Sequence, residues 1–385
     1  MNPDDPSGVA RLTGWTQDGL RPGSYLERLS VLADARARQW SDNVDISQGV
    51  GARHHVVPAF YLRLFASPSG HLLVRDRDNG TFRVQSFKDL AIRDFYTVIN
   101  NDGEKDASME QVLCMIENQT AELFQRLLSP FRAAVPLTVD ERMTLATFMA
   151  MQNVRGLRTR REVELLANYH VHLMHGGTKL GKKLAGLTAV PHPNEHIRLF
   201  TASEAFAGAL MRRPVTRVTL DAPLLITGDE PVLVVNDDHV HHLPECFRSA
   251  KGRRIRLRKN RQAKRETREL VHIYPTKPSG VAVAEMIMLP VGPRSLLVFG
   301  PEGSDTDPHI DLAGQDAVDA AEEVNRLVID QAYSWIAAHV DHDSVRTCPL
   351  PPVGPIVNIC DGGTRLSREL QAAPSPRMPR ILGRS

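Results

Sequence analysis

His54-His55-Val56-Val57-Pro58-Ala59-Phe60-Tyr61-Leu62-Arg63-Leu64-Phe65 sets two histidines directly ahead of an aromatic-apolar run that carries an arginine. Histidine is the side chain most easily tuned to exchange a proton near neutral pH. With Tyr61 and Arg63 close behind, the segment holds several of the polar types that sites assemble. If Tyr61 to Phe65 is extended, Tyr61 and Arg63 share a face and alternate with Leu62 and Leu64. A helical turn spreads them apart. In both cases Val56, Val57, Phe60, Leu62 and Phe65 need a core to bury them, and the rest of the chain must build it.

Upstream, residues 1–23 are polar and rich in turn-formers, and Tyr25 to Trp40 has apolar residues at helical spacing. Downstream, Leu72-Leu73-Val74 and Phe82-Arg83-Val84 flank Asp78-Asn79-Gly80, a hairpin signal. Ser108 to Leu128 repeats Val112, Leu113, Ile116, Leu123 and Leu127 at helical spacing, and Pro130 and Pro136 end it. Thr138 with Glu141 reads as a capping box opening a long helix through Phe148, Gln152 and Arg155 towards Leu166. The second half turns to short apolar strands: Val215 to Leu220, Leu224 to Thr227, Pro231 to Val235, Leu270 to Tyr274, Val281 to Leu289 and Ser295 to Phe299. A last helix is expected from about Gly314 to Ala338, and residues 341–385, rich in proline, read as a disordered tail. Helices first and strands second predict an α+β fold, a helical first half packed on a mainly antiparallel sheet from the second half. Residues 1–50 form an N-terminal arm and helix, and 51–340 a single domain.

Hydrophobic residues make up 42% of the 385, enough for a sizeable core, with aromatics at only 5%, so aliphatic side chains must fill it. Cys114, Cys246, Cys348 and Cys360 form no CxxC pair, which argues against a disulfide framework or a cysteine zinc site and fits a cytoplasmic location. No signal-like apolar region opens the chain, and no apolar run is long enough for a membrane span. The formal net charge of +2 hides an asymmetry: Arg248 to Arg268 carries eleven Lys or Arg against one acid, a local +10, leaving −8 elsewhere. Such a run can contact nucleic-acid phosphates, although it lacks aromatics for base stacking and is also the composition of a solvated loop.

Several polar positions carry candidate chemistry. His55 can act as general base, metal ligand or phosphate contact, or merely fasten a turn. Glu110 and Glu117 lie seven apart, so both carboxylates project from one helix face. Gln152 and Arg155 share a face at i and i+3, and Arg155 can clamp an anion or neutralise Glu117 in an ion pair joining two helices. Asp229, in Thr227-Gly228-Asp229-Glu230-Pro231, ends an apolar strand, a place for an acid/base group or for a turn. Clusters at His170, His172 and His175 and at His239, His241 and His242 match no HExxH pattern. Walker, GxGxxG and GxSxG motifs are lacking.

The opening segment resembles the "HYVPQFYLRNF" signature of a bacterial family of uncharacterised proteins, domain of unknown function 4238. Lys88-Asp89-Leu90-Ala91 to Asp94-Phe95-Tyr96, Glu110 with Glu117, Phe148 to Gln152 with Arg155, and Thr227 to Val232 are similar to further motifs of that family, in the same order. Val56 stands where the family usually has Tyr, and Glu230 where it usually has Asn. The resemblance spans about residues 51–340 and implies a fold family and candidate positions, without an activity.

The resulting expectation is a polar pocket of His55, Tyr61, Arg63, Glu110, Glu117, Gln152, Arg155 and Asp229. Its concrete form is a metal-assisted phosphodiester hydrolase acting on nucleic acid. Glu110, Glu117 and Asp229 would hold Mg or Mn, His55 would move the proton, and Arg63 and Arg155 would stabilise developing charge. The rival is a non-enzymatic nucleic-acid or small-ligand binding protein in which His, Arg and Asp form a structural network.

Overall fold

A computed structural model of the chain describes residues 54–93, 98–99, 105–106, 108–129, 137–175, 203–235, 272–275, 284–303, 309–353 and 356–360. The helix expected over Tyr25 to Trp40, the Asp94-Phe95-Tyr96 triplet, His239 to His242 and the basic run lie outside them.

The expected hairpin forms from β2 (His71–Asp76) and β3 (Phe82–Ser86), and Gly80 takes the left-handed conformation, φ +66°, that its turn requires. Together with β8 (Thr227–Gly228) and β14 (Trp335–His339) they make an antiparallel sheet in the order β3-β2-β14-β8. A second sheet comprises β7 (Val215–Leu220), β9 (Leu233–Val235), β11 (Met286–Pro290), β12 (Ser295–Phe299) and β13 (His309–Leu312). Its order is β13-β7-β12-β11-β9, antiparallel except for β13 beside β7. Three short pairs complete the strands: β1 (His54–His55) with β4 (Ile92–Arg93), β5 (Val98–Ile99) with β6 (Lys105–Asp106), and β10 (His272–Pro275) with β15 (Val357–Cys360).

The helices are α1 (Ala59–Arg63), α2 (Ser108–Leu127), α3 (Val139–Val154), α4 (Leu157–His175), α5 (residues 203–211), α6 (Gly314–Gln331) and α7 (Ser344–Thr347). The capping box at α3 is complete: Thr138 Oγ1 accepts from Glu141 N, and Glu141 Oε2 accepts from Thr138 N. β11 explains the layering. Its Ile287 and Leu289 join the core built by α1, α2 and α3, while Met286 and Met288 join the core under α6. A strand covered on both faces alternates its apolar residues between two layers. The fold is α+β, with most helices in the first half and most strands in the second.

Three expectations are corrected. The long helix from Thr138 is interrupted at Arg155-Gly156, between α3 and α4, where Arg158 N donates to the buried carboxylate of Glu230. The last helix stops at Gln331 rather than Ala338, and Trp335 to His339 form the central strand β14. The tail is also docked over its first part. Val345 is fully buried, Arg75 Nη1 donates to Cys348 O at 2.7 Å, and Arg77 Nε donates to Pro351 O at 2.8 Å. Val353 and Ile356 pack with Leu165 and Tyr333. Spaced apolar anchors and accessible proline-segment carbonyls hold this stretch. Residues 361–385 lie outside the described residues.

Candidate functional site

The signature segment is helical at Ala59–Arg63, so its two polar side chains separate. Tyr61 is completely buried, and its hydroxyl donates to Pro290 O at 2.7 Å and lies 3.0 Å from Thr227 Oγ1. Thr227 belongs to one sheet and Pro290 to the other, so Tyr61 fastens the two together. Burial pushes its phenol well above the usual range. Arg63 is exposed at the last position of α1.

His55 is held from several directions. Its backbone pairs with Ile92 of β4. From α3, Gln152 Nε2 donates to Val56 O at 3.0 Å, and Arg155 Nη2 donates to His55 O. Arg155 Nη1 meets Glu117 Oε1 at 2.7 Å, with the Arg155 side chain only 4% exposed and Glu117 20%. The ion pair weighed as one alternative for Arg155 is therefore present and ties the end of α3 to α2 and β1. The ring Nε2 of His55 lies 3.0 Å from Lys88 O.

One face of α2 presents Glu110, Cys114 and Glu117 to this group. Glu110 is held above the ordinary carboxylate range, chiefly by burial and also by Glu117, against the opposing pull of Arg155 and His55. Burial and the two carboxylates push the Cys114 thiol up to about 11, so it is a neutral thiol rather than a nucleophilic thiolate near pH 7. The cysteine falls at i+4 from Glu110 and i−3 from Glu117, a spacing through which it could have been found.

Asp229 belongs to a different group. It is 1% exposed, its Oδ1 accepts from Tyr333 N at 2.8 Å and its Oδ2 from Ser334 N at 2.6 Å. Those bonds turn the chain from α6 into β14, the element that helical spacing concealed. Burial and the adjacent Glu230 raise the Asp229 carboxyl. Glu230, also 1% exposed, accepts from Arg158 N at 3.0 Å and so caps the start of α4. A Cβ on Gly156 would come within 2.2 Å of Glu230 Oε1. The His55 and Asp229 groups are thus neighbours along the chain at Arg155-Gly156, but each has its own partners.

Glu110, Glu117 and Asp229 do not converge as metal ligands. Asp229 spends both oxygens on backbone N–H groups, Glu117 pairs with Arg155, and among the described residues no group of three or more His, Cys, Asp or Glu is arranged to hold a metal. The three therefore do not fit a shared Mg or Mn ion, and no step below runs through one.

Residues 53–342 match the family described as "Protein of unknown function (DUF4238)", to which the chain belongs. Neither a curated protein nor a solved structure matches it. Among the described residues, no helix is long and apolar enough to cross a membrane.

Proposed function

We propose that the chain is a phosphodiester hydrolase acting on nucleic acid, with His55 as general base and Glu110 as general acid. The observation that carries this reading is the unequal environment of two carboxylates beside one imidazole. Glu117 is paired to Arg155, whereas Glu110 is desolvated and held towards its protonated form. A carboxyl held above its ordinary range by burial keeps the proton that a general acid donates. The +10 run Arg248 to Arg268 supports a polyanionic substrate on charge alone.

A second reading is a binding protein without turnover. It is favoured by the backbone contacts of Gln152, Arg155 and Asp229, which make them structural ties. The purified chain, incubated with labelled DNA and RNA in chelator and with added Mg or Mn, separates the two. The hydrolase should cleave, and His55→Ala and Glu110→Gln should bind but lose turnover. Binding without cleavage under every condition, weakened by neutralising the basic run, supports the second reading and removes the first.

A further inference from the structure

We infer that His55 works through Nδ1 alone, and that the main-chain carbonyl of Lys88 is the group that keeps a proton on Nε2. This rests on the hydrolase reading for its chemistry but not for its geometry. A carbonyl oxygen can only accept, so the 3.0 Å contact of Nε2 with Lys88 O requires Nε2 to carry hydrogen, whether the ring is neutral or charged. With Nε2 occupied as a donor, Nδ1 is the ring atom left to accept a proton.

The carbonyl is fixed by its turn. Ser86 O accepts from Asp89 N at 3.1 Å and from Leu90 N at 3.2 Å, and Gln85 Nε2 donates to Asp89 O at 3.0 Å. Ala91, at φ +63°, turns the chain into β4, and its carbonyl accepts from Val56 N at 2.9 Å. The imidazole is therefore tied to the turn through its ring and to α3 through its backbone. This arrangement gives the Lys88 to Ala91 motif a role: it orients the base.

In the hydrolytic step, Nδ1 takes a proton from the attacking water as the water oxygen bonds to phosphorus. The bond from phosphorus to the leaving oxygen breaks, and that oxygen takes the proton of Glu110. The imidazolium then returns its Nδ1 proton to the Glu110 carboxylate through solvent, which restores both groups.

Two variants and one spectrum test the assignment. A glutamine amide reaches about as far as Nε2 and can still donate to Lys88 O, while an asparagine amide reaches only about as far as Nδ1. His55→Gln and His55→Asn should both lose turnover by about 10²- to 10⁴-fold. Only His55→Asn should also lower the thermal midpoint. In the full wild-type chain, nitrogen NMR of His55 in its neutral form should give protonated Nε2 and bare Nδ1. A protonated Nδ1 with bare Nε2, or a midpoint lowered by Gln and spared by Asn, overturns the inference. An absence of cleavage by the wild type removes the hydrolase reading instead, and the NMR result decides the tautomer even if a variant fails to fold.

Discussion

Replacing Gly156 by alanine perturbs the junction between the two polar groups. The glycine is present for space, since its Cβ would lie 2.2 and 2.5 Å from the carboxylate oxygens of Glu230 and 2.6 Å from Cδ. Glu230 must then move, but it is 1% exposed and bonded to Arg158 N at 3.0 Å. Losing a hydrogen bond to a charged group costs about 1.5–3 kcal/mol. Forcing a methyl into a filled site costs about 1–3 kcal/mol more. Gly156→Ala should therefore destabilise by about 2.5–6 kcal/mol, a large share of the ~5–15 kcal/mol available to a folded domain. Urea denaturation followed by tryptophan fluorescence and circular dichroism measures it. A cycle with Glu230→Ala sharpens the test: without the carboxylate, the alanine penalty should fall below about 1 kcal/mol. A cost for Gly156→Ala that is small, or equal in both backgrounds, would refute the reasoning.

Tyr61→Phe leaves Pro290 O and Thr227 Oγ1 without their bridging hydroxyl in a fully buried place, and should cost about 1–3 kcal/mol by denaturant titration. Arg155→Met strands Glu117 and frees the His55 carbonyl. Because Glu117 retains some exposure, the loss should sit near the low end for buried pairs, about 3 kcal/mol, again by denaturant titration. Glu110 is held above its ordinary value, so its contribution to stability is fully present below that value and is lost as pH rises through the raised folded value. Glu110→Gln cannot ionise, and the fall in unfolding free energy over that window should flatten in the variant. An unchanged pH slope speaks against the burial of Glu110.

Much of the framework is legible in local chemistry. The Asn79-Gly80 hairpin, the Thr138/Glu141 cap and the strands Val215–Leu220 and Ser295–Phe299 each follow from a few neighbouring residues. Misreadings occur where tertiary contacts override spacing. Trp335 to His339 continues an apolar helical pattern, but Asp229 binds the preceding N–H groups and β2 and β8 capture the strand. At Arg155-Gly156 the helix is interrupted where Glu230, distant in sequence, accepts from Arg158 N. The Arg155–Glu117 pair was readable as one of two options from residue types on two helices. The separation of Asp229 from His55 was not, since residue types alone cannot say which backbone groups a carboxylate serves. The Lys88 carbonyl was equally invisible, being main chain. The polar set read from the family-like motifs thus divides into a fastener, Tyr61, a turn organiser, Asp229, and a group around His55 for which the acid–base role is proposed.

The most direct test of that last group is the pH dependence of cleavage of a labelled RNA or DNA by wild type and Glu110→Gln. The account predicts that the wild-type rate falls with rising pH as Glu110, held above the ordinary carboxylate range, loses the proton it donates. In Glu110→Gln the rate should drop by about 10²-fold or more and the alkaline fall should disappear. A wild type that cleaves neither substrate, or a variant with wild-type rate and profile, would contradict it.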